Sequence, residues 1–332
     1  MTDNIINRLK RLRLTQNIRN MMQETRLDIN QFIAPLFISE TISHKQEILS
    51  MPGCYQLDLE SLENEILEIS KLKIPAVLLF GIPKTKDEIG SISLSDEGII
   101  QKAIKKIRDI NKELTIIADV CLCEYTNHGH CGVLNNQEIN NDETLKILAK
   151  QAVSYAKAGA NWVAPSSMTD GMVAAIRKAL DAEQLYDVSI LSYSVKYSSS
   201  FYAPFREAAE GNPKFGDRKK YQMNPANGQE AIREAMLDID EGTDILMVKP
   251  AQNYLDVIYR IKQNFPEIPL CAYQVSGEYA MIKYSAKAGL ITEDEAMVES
   301  LLAIKRSGAD LIISYFAKDI ARYLLFTLCN PP

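Results

Sequence analysis

The chain has 332 residues, of which 46% are hydrophobic and 24% charged, as is typical of a globular protein with a sizeable core. Its formal net charge of -6 argues against a general nucleic-acid-binding surface, and no apolar run approaches the roughly 20 residues that cross a bilayer. Because the first 20 residues also lack the apolar segment of a secretory signal, we expect a cytoplasmic protein with no nucleic-acid or membrane partner.

The first segment, residues 1–30, is a basic stretch that precedes every predicted strand. Its basic residues, which alternate with apolar ones, are Arg8, Lys10, Arg11, Arg13 and Arg19. We interpret this segment as an arm outside the main domain. From the residues alone, an arm that wraps a neighbouring subunit and a frayed tail are equally good interpretations.

The chain from residue 31 to 332 predicts one domain of alternating strands and helices. Short apolar or β-branched runs predict eight strands, at 34–38, 76–80, 115–120, 161–164, 189–193, 244–248, 269–274 and 310–314. Apolar residues at helical spacing predict helices at 57–71, 98–111, 142–158, 170–182, 229–241, 253–264 and 292–307. Helices that lead directly into buried strands imply parallel pairing, so we expect an α/β protein built as a (β/α)8 TIM barrel. A doubly wound open sheet is the alternative.

A long segment at residues 198–227, between the fifth predicted strand and the next helix, is rich in Gly, Pro and polar residues. Segments of this length without predicted structure are uncommon unless they have a function. Because barrel active sites lie at the C-terminal ends of the strands, we interpret this segment as an active-site lid.

Three of the six cysteines lie within eleven residues, in the segment that leaves the third predicted strand. Cys121 and Cys123 share a face of the extended chain, and Cys131 returns to them after a turn. Three thiolates suit Zn²⁺, and three protein ligands leave a fourth position for water or substrate. The alternative is three reduced thiols without a metal. His128 and His130 are weaker candidates, either as ligands or as loop residues.

Two lysines, Lys196 and Lys249, each follow a predicted buried strand. A lysine in this position points toward the mouth of a barrel, where desolvation and a second ammonium lower its pKa and activate the amine. The alternative is that each lysine only extends its charge into water. The pair beside a thiol cluster favours chemistry, and a Schiff base is the reaction that we expect.

Further polar side chains are expected at the same end of the barrel. They are Ser166, Ser276 and Tyr315 after predicted strands, and Arg206, Arg218 and Gln222 in the lid. Guanidinium groups bind carboxylates through paired hydrogen bonds, so the lid arginines suit an anionic substrate.

Several longer motifs point to one family. They are residues 119–134, FGIP at 80–83 with KD at 86–87, APSSMTDGM at 164–172, FYAPFR at 201–206, YQMNPAN at 221–227, MVKP at 247–250 and YQVSGEY at 273–279. In these motifs, and from about residue 11 to the last strand, the chain resembles the porphobilinogen synthases (5-aminolevulinate dehydratases).

The resemblance implies the condensation of two 5-aminolevulinate molecules to porphobilinogen, with loss of two waters, in heme biosynthesis. Lys249 would form a Schiff base with one substrate molecule, and Lys196 would form or assist the bond to the second. Asp119 would handle protons. The implied substrate-binding residues are Arg206, Arg218 and Gln222 for the carboxylate of the second molecule, Ser276 and Tyr315 for that of the first, and Ser166.

The resemblance also implies metals and an assembly. Zn²⁺ would be held by Cys121, Cys123 and Cys131, and an allosteric Mg²⁺ would bind at Glu234. No organic cofactor is expected. Homo-octamers of arm-wrapped dimers are usual in the family, which would give residues 1–30 their role.

Two rival interpretations remain, of which the first keeps the predicted barrel and the lysine. A class I aldolase or related lyase would use a lysine without needing zinc, and the cysteine cluster argues against it. A zinc-stabilised scaffold without catalysis would tolerate replacement of Lys249, and the paired lysines and the lid argue against that.

Overall fold

The computed structural model describes residues 6–329 and contains a closed barrel of eight parallel strands. The strands of this range, in chain order, are β1 (Phe32–Ser39), β2 (Gln46–Glu47), β3 (Tyr55–Leu57), β4 (Ala76–Ile82), β5 (Thr115–Val120), β6 (Leu134–Asn135), β7 (Glu138–Ile139), β8 (Trp162–Pro165), β9 (Ser189–Lys196), β10 (Ile245–Lys249), β11 (Leu270–Gln274) and β12 (Leu311–Ser314). Around the barrel the order is β1, β4, β5, β8, β9, β10, β11, β12, and β12 pairs with β1. This closure confirms the predicted (β/α)8 barrel and excludes the open doubly wound sheet.

Helices surround the barrel and connect most of its strands. They are α1 (Gln16–Met21), α2 (Leu59–Lys71), α3 (Ile99–Ile110), α4 (Asn141–Ala158), α5 (Met172–Ala182), α6 (Ala203–Ala208), α7 (Glu230–Asp240), α8 (Leu255–Asn264), α9 (Ser276–Lys287), α10 (Glu293–Arg306) and α11 (Ala317–Cys329). The seven predicted helices are all present, with ends that move by one or two residues. Within residues 6–329, no helix is long and apolar enough to span a membrane.

The prediction omitted four helices, α1, α6, α9 and α11. The cause is clearest for α9, whose buried first turn consists of Ser276, Gly277 and Glu278. A helix that buries polar and small residues shows no apolar stripe in its sequence. In this case the tertiary environment, rather than the apolar pattern, determines the helix.

Burial on both faces explains why the barrel strands appear in the sequence as apolar runs. Every residue of β1 and of β4 is buried, because the barrel interior covers one face and the helices cover the other. On the outside, α3 packs an apolar stripe that includes Ile100, Ile104 and Ile107. The strands β9 and β10 depart from this pattern at their last residues, Lys196 and Lys249, which brings two amines to one end of the barrel.

Leu27 and Ile29, at the end of the arm, pack against the barrel core, whereas the described residues before them are largely exposed. The exposed part contains a 3-10 helix, Leu9–Arg13, and α1, and neither has a buried residue. Apolar side chains in this part are open to solvent: Ile6 is 79% exposed and Leu9 is 73% exposed. Residues 1–5 of the predicted arm lie outside the described residues.

The segment 198–227 is more regular than a plain loop. It contains a 3-10 helix, Ser200–Tyr202, and α6, and it returns along β9 through a bridge between Tyr197 and Met223. The six residues of α6 are too few to give a periodic pattern, so this helix could not be predicted from the sequence. The segment covers the C-terminal end of the barrel, where Phe205 lies 5.1 Å from the Lys249 amine.

Candidate active site

Two lysines lie side by side at the C-terminal end of the barrel. Lys196 ends β9 and Lys249 ends β10, and the two residues are direct partners in the strand register. Each is only 5% exposed. The fold therefore holds two amines next to each other and out of bulk water.

Aromatic rings surround the Lys249 amine. Its Nζ lies 4.2 Å from the ring centre of Tyr273, 4.9 Å from that of Tyr193 and 5.4 Å from that of Tyr202. Burial, followed by the neighbouring Lys196 ammonium, lowers the pKa of Lys249 to about 7. A large fraction of this amine is therefore neutral, and nucleophilic, at neutral pH.

A buried carboxylate lies beside the lysines. Oδ2 of Asp119 in β5 accepts a 3.0 Å hydrogen bond from the Ser166 hydroxyl, while Lys196 donates to the Ser166 carbonyl. Burial raises the pKa of Asp119 to about 7, and the carboxylate of Glu124 adds to the rise. Asp119 is therefore able to take up or release a proton near neutral pH.

Three thiols form the second feature of the site. The sulfur atoms of Cys121, Cys123 and Cys131 all lie within 4.8 Å of one another, and all three residues are buried. Hydrogen bonds from Cys121 and then Cys123 lower the pKa of Cys131 well below its usual value. We call Cys121, Cys123 and Cys131 the thiol cluster. A compact set of buried sulfur donors matches the ligand chemistry of a soft or borderline metal ion.

The loop that carries the thiol cluster is fixed from two sides. Behind it, the side chain of Gln151 in α4 donates a 3.0 Å hydrogen bond to the Cys121 carbonyl. In front of it, Gly129 has a φ of +74°, and a Cβ at this position would lie 2.2 Å from the Asn212 carbonyl oxygen of the lid. Only glycine permits this approach, so the thiol loop and the lid pack against each other.

The two histidines of this loop make structural hydrogen bonds. The His130 ring contacts the Phe215 carbonyl at 2.9 Å and the Tyr221 hydroxyl at 3.1 Å. The His128 ring contacts the Glu88 carbonyl at 3.1 Å and accepts from the His130 backbone amide. Neither ring belongs to the thiol cluster, which favours the interpretation of both as loop residues.

The segment 198–227, which we predicted to be a lid, carries buried polar groups without hydrogen-bond partners. Arg218 and Gln222 are 5% and 3% exposed, and Arg206 is half-buried. Among the described residues, Nε of each arginine and both amide atoms of Gln222 have no hydrogen-bond partner. Buried polar atoms in this state are normally satisfied by some group, so they are candidates to bind an anionic or polar ligand. Gln222 also lines the cavity that contains Glu234.

The residues predicted after the seventh and eighth strands are also at this end. The Tyr315 hydroxyl lies 3.1 Å from that of Tyr273, one of the tyrosines whose rings surround the Lys249 amine. The Ser276 hydroxyl accepts a 2.9 Å hydrogen bond from the Phe205 amide and donates to the Phe201 carbonyl at 3.2 Å. Ser276 therefore contacts the lid in this conformation.

Glu234 lies apart from the paired lysines, on α7. It lines a cavity of about 560 Å³ together with other carboxylates, among them Asp170, Glu230 and Asp238. Burial, followed by the charge of Asp238, raises the pKa of Glu234 to about 7.

Sequence reasoning missed several residues of the site. Tyr193, Tyr202, Phe205 and Tyr273 form the aromatic surroundings of Lys249, and Glu124 accepts a 3.2 Å hydrogen bond from Cys123. Tyr202 and Phe205 lie in the FYAPFR motif and Tyr273 lies in the YQVSGEY motif, but neither motif indicates that these rings surround a lysine. Aromatic residues on strands are usually core residues, so their presence is a weak signal.

Comparison with known proteins gives a consistent picture. A family model described as delta-aminolevulinic acid dehydratase matches residues 6–323. The delta-aminolevulinic acid dehydratase of Halalkalibacterium halodurans is 53% identical over 317 residues, which cover 96% of both chains. That of Bacillus subtilis is 51% identical over 318 residues, which cover 96% of this chain and 98% of the relative.

Solved structures agree with the sequence comparison. The crystal structure of delta-aminolevulinic acid dehydratase (porphobilinogen synthase) from Toxoplasma gondii, in complex with the reaction product porphobilinogen, matches with a TM-score of 0.96. The sequence identity is 40%, and the match covers 98% of this chain and 94% of that one. The aldolase QR15 matches with a TM-score of 0.52 at 14% identity, over 92% of this chain and 100% of its own, and so shares the fold alone.

Proposed function

The chain belongs to the delta-aminolevulinic acid dehydratase family, and from this premise we propose that it condenses two molecules of 5-aminolevulinate into porphobilinogen. It is thus a lyase of heme biosynthesis. The observation that carries the mechanism is the pairing of two buried amines, Lys196 and Lys249, directly at the barrel mouth. Two ketone substrates require two amine sites, and the reaction forms one C–C and one C–N bond with loss of two waters.

Lys249 attacks the keto group of the first substrate molecule and forms a Schiff base. Its lowered pKa supports this role, because only the neutral amine has the electron pair that bonds to the ketone carbon. The aromatic surroundings and the lid keep water from the imine.

Lys196 binds the second molecule, and Asp119 moves protons between the reacting groups. The Ser166 hydroxyl supports Asp119 by fixing one carboxylate oxygen, and the other oxygen has no partner among the described residues. A free oxygen on a carboxylate whose pKa lies at about 7 suits general acid–base catalysis at neutral pH.

The two substrate carboxylates bind to different sets of residues. Arg206, Arg218 and Gln222 hold the carboxylate of the second molecule, since these lid groups have donors without partners. Ser276 and Tyr315 hold the carboxylate of the first, which requires Ser276 to exchange its lid contacts for the substrate.

The thiol cluster fits Zn²⁺, with Cys121, Cys123 and Cys131 as the protein ligands. A bound zinc ion would supply Lewis-acid polarisation of the second substrate molecule. Glu234 is the residue that we assign to an allosteric Mg²⁺, because carboxylate oxygens are preferred by this ion and the cavity beside Glu234 is acidic. A cytoplasmic location suits the thiol cluster, because reducing compartments keep thiols free.

Residues 1–30 are proposed to act as an oligomerisation arm, and residues 31–332 as one catalytic barrel domain with its lid at 198–227. The exposed apolar side chains of the described arm support an assembly in which a neighbouring subunit covers them. The family resemblance suggests a homo-octamer.

The direct test is product formation from 5-aminolevulinate as the sole substrate. We expect one porphobilinogen for every two substrate molecules consumed, measured by the colour reaction of the pyrrole and by mass spectrometry. Absence of pyrrole here, together with cleavage of a sugar-like ketone in a separate assay, would instead support the aldolase interpretation.

The pH dependence of Schiff-base formation should follow the Lys249 amine. With 4-oxopentanoate, which has the ketone and carboxylate of the substrate without its amine, trapping at Lys249 should increase as the pH rises through about 7 and then level off. Lys196→Met removes the neighbouring ammonium that lowers the pKa of Lys249, so the profile should move to higher pH. The measurement is the rate of reductive trapping by cyanoborohydride in both proteins, and identical profiles would contradict the proposed coupling.

A further inference from the structure

Glu278 is a fully buried carboxylate with an unusual set of partners. Its Oε1 accepts a 2.7 Å hydrogen bond from the backbone amide of Gln252. Its Oε2 accepts one of 2.8 Å from Val275 and one of 3.4 Å from Ala251. All three donors are backbone amides. The Glu278 carboxylate therefore fixes backbone positions rather than another side chain.

The three amides belong to two different strand ends. Ala251 and Gln252 follow Lys249, the last residue of β10, whereas Val275 follows β11 and directly precedes Ser276. The strands β10 and β11 are neighbours in the barrel. One carboxylate therefore joins the segment that carries the Lys249 amine to the segment that carries the Ser276 hydroxyl.

The Lys249 carbonyl is fixed separately. It accepts a 2.9 Å hydrogen bond from the Tyr197 amide and a 3.2 Å bond from the Tyr202 hydroxyl. These contacts hold the end of β10 against β9 and the lid. On the other side, the pairing of β10 with β11 ends at Val248 and Ala272. Beyond that point, the Glu278 carboxylate bridges the segment after β10 and the segment after β11.

In the proposed function, one substrate molecule has its ketone on Lys249 and its carboxylate on Ser276 and Tyr315. The distance between these two attachment points must then match the length of the substrate. Resting on that function, we propose that Glu278 is a positioning residue that sets this distance and so makes the first substrate site selective for 4-oxo acids over longer ones. A displacement of about 1 Å can change a rate by about 100-fold, so a small relaxation of the two segments is sufficient.

The test compares 4-oxopentanoate with 5-oxohexanoate, which is one methylene longer between ketone and carboxylate. The Lys249 nitrogen bonds to the ketone carbon, the ketone oxygen leaves as water, and hydride from cyanoborohydride adds to the imine carbon to give a stable secondary amine. Peptide mapping locates the added mass, and the concentration that gives half-maximal trapping is measured for each acid. We expect the wild-type protein to favour 4-oxopentanoate by about 10-fold or more, the effect of one methylene in a shaped site.

Glu278→Gln has the same shape but directs an amide toward backbone donors, so it weakens the link between the segments. We expect the preference for 4-oxopentanoate to fall at least 5-fold, mainly through tighter relative binding of 5-oxohexanoate. Glu278→Asp keeps the charge and shortens the side chain, and it carries the same test if the glutamine variant does not fold. Glu295→Gln, at an exposed position of α10, is the matched control and should keep the wild-type preference.

Three results would overturn the proposal. The first is a wild-type protein without preference between the two acids. The second is a folded Glu278 variant that weakens both acids equally, because this would show a role in stability alone. The third is trapping at a residue other than Lys249 in the wild-type protein, which would remove the premise and point to an error in the proposed function itself.

Discussion

Replacing Lys249 with methionine is expected to abolish porphobilinogen formation, with a fall in kcat of about 10⁴-fold or more, as for loss of a covalent nucleophile. Methionine preserves the apolar volume of the stem inside the aromatic surroundings of the amine. It removes a buried amine whose pKa lies at about 7, so the barrel should remain folded. The measurement is the initial rate of pyrrole formation, together with trapping of 4-oxopentanoate.

Two control variants distinguish the loss of the Lys249 nucleophile from the loss of a positive charge elsewhere. Lys178→Met changes an exposed lysine of α5 and should keep wild-type activity and trapping at Lys249. Lys196→Met should also lose product formation, but it should still trap 4-oxopentanoate on Lys249 at high pH. A Lys249→Met protein that forms porphobilinogen at more than about a hundredth of the wild-type rate would refute the Schiff-base assignment. A folded, zinc-loaded wild-type protein that forms no porphobilinogen would instead favour the non-catalytic scaffold.

The barrel could be predicted because each strand has its own local signal. Strands such as β4 and β5 are buried on both faces, so in the sequence they appear as short apolar runs between helical segments. The closure of β12 on β1 has no local signal of its own, and it was inferred from the number of strand–helix units. The helix α9 was missed because it buries Ser276, Gly277 and Glu278 in its first turn, where polar bonds replace apolar packing.

The candidate site was predictable where its chemistry is concentrated in a few positions. The thiol cluster lies on one loop, and Lys196 and Lys249 interrupt apolar strands, so each stands out from its neighbours in the chain. The same reasoning could not find the partners that depend on distant contacts. Glu278 bonds to Gln252, 26 residues away in the chain, and nothing near Glu278 indicates that its carboxylate holds another strand end.

The contacts of Ser276 show a further limit of sequence reasoning. Its position after β11 was predictable, but its hydrogen bonds to Phe201 and Phe205 of the lid were not. If Ser276 binds a substrate carboxylate as proposed, that carboxylate and the lid backbone would compete for the same hydroxyl. Lid movement and binding of the first substrate are therefore expected to be coupled.

Removal of zinc is the second change with a large expected effect. Chelation should lower porphobilinogen formation by about 100-fold or more, and added Zn²⁺ should restore it, because the thiol cluster is proposed to hold the ion that polarises the second substrate. Cys131→Ala should lose activity permanently and should bind much less zinc, as measured by metal analysis. Cobalt added to the metal-free wild-type protein should produce a thiolate charge-transfer band that the variant lacks.

The control for this experiment is another buried thiol of the barrel. Cys271→Ala in β11 lies outside the thiol cluster, so zinc content and activity should stay near the wild-type values. The circular dichroism spectrum should survive chelation, because the thiol loop lies at one end of the barrel whereas the strands and helices pack through apolar contacts that need no metal. Loss of the folded spectrum on chelation would instead support a structural ion and the scaffold interpretation. Full activity in protein shown to be free of metal would leave Lys196 and Asp119 to activate the second substrate alone, and the role assigned to the three cysteines would be wrong.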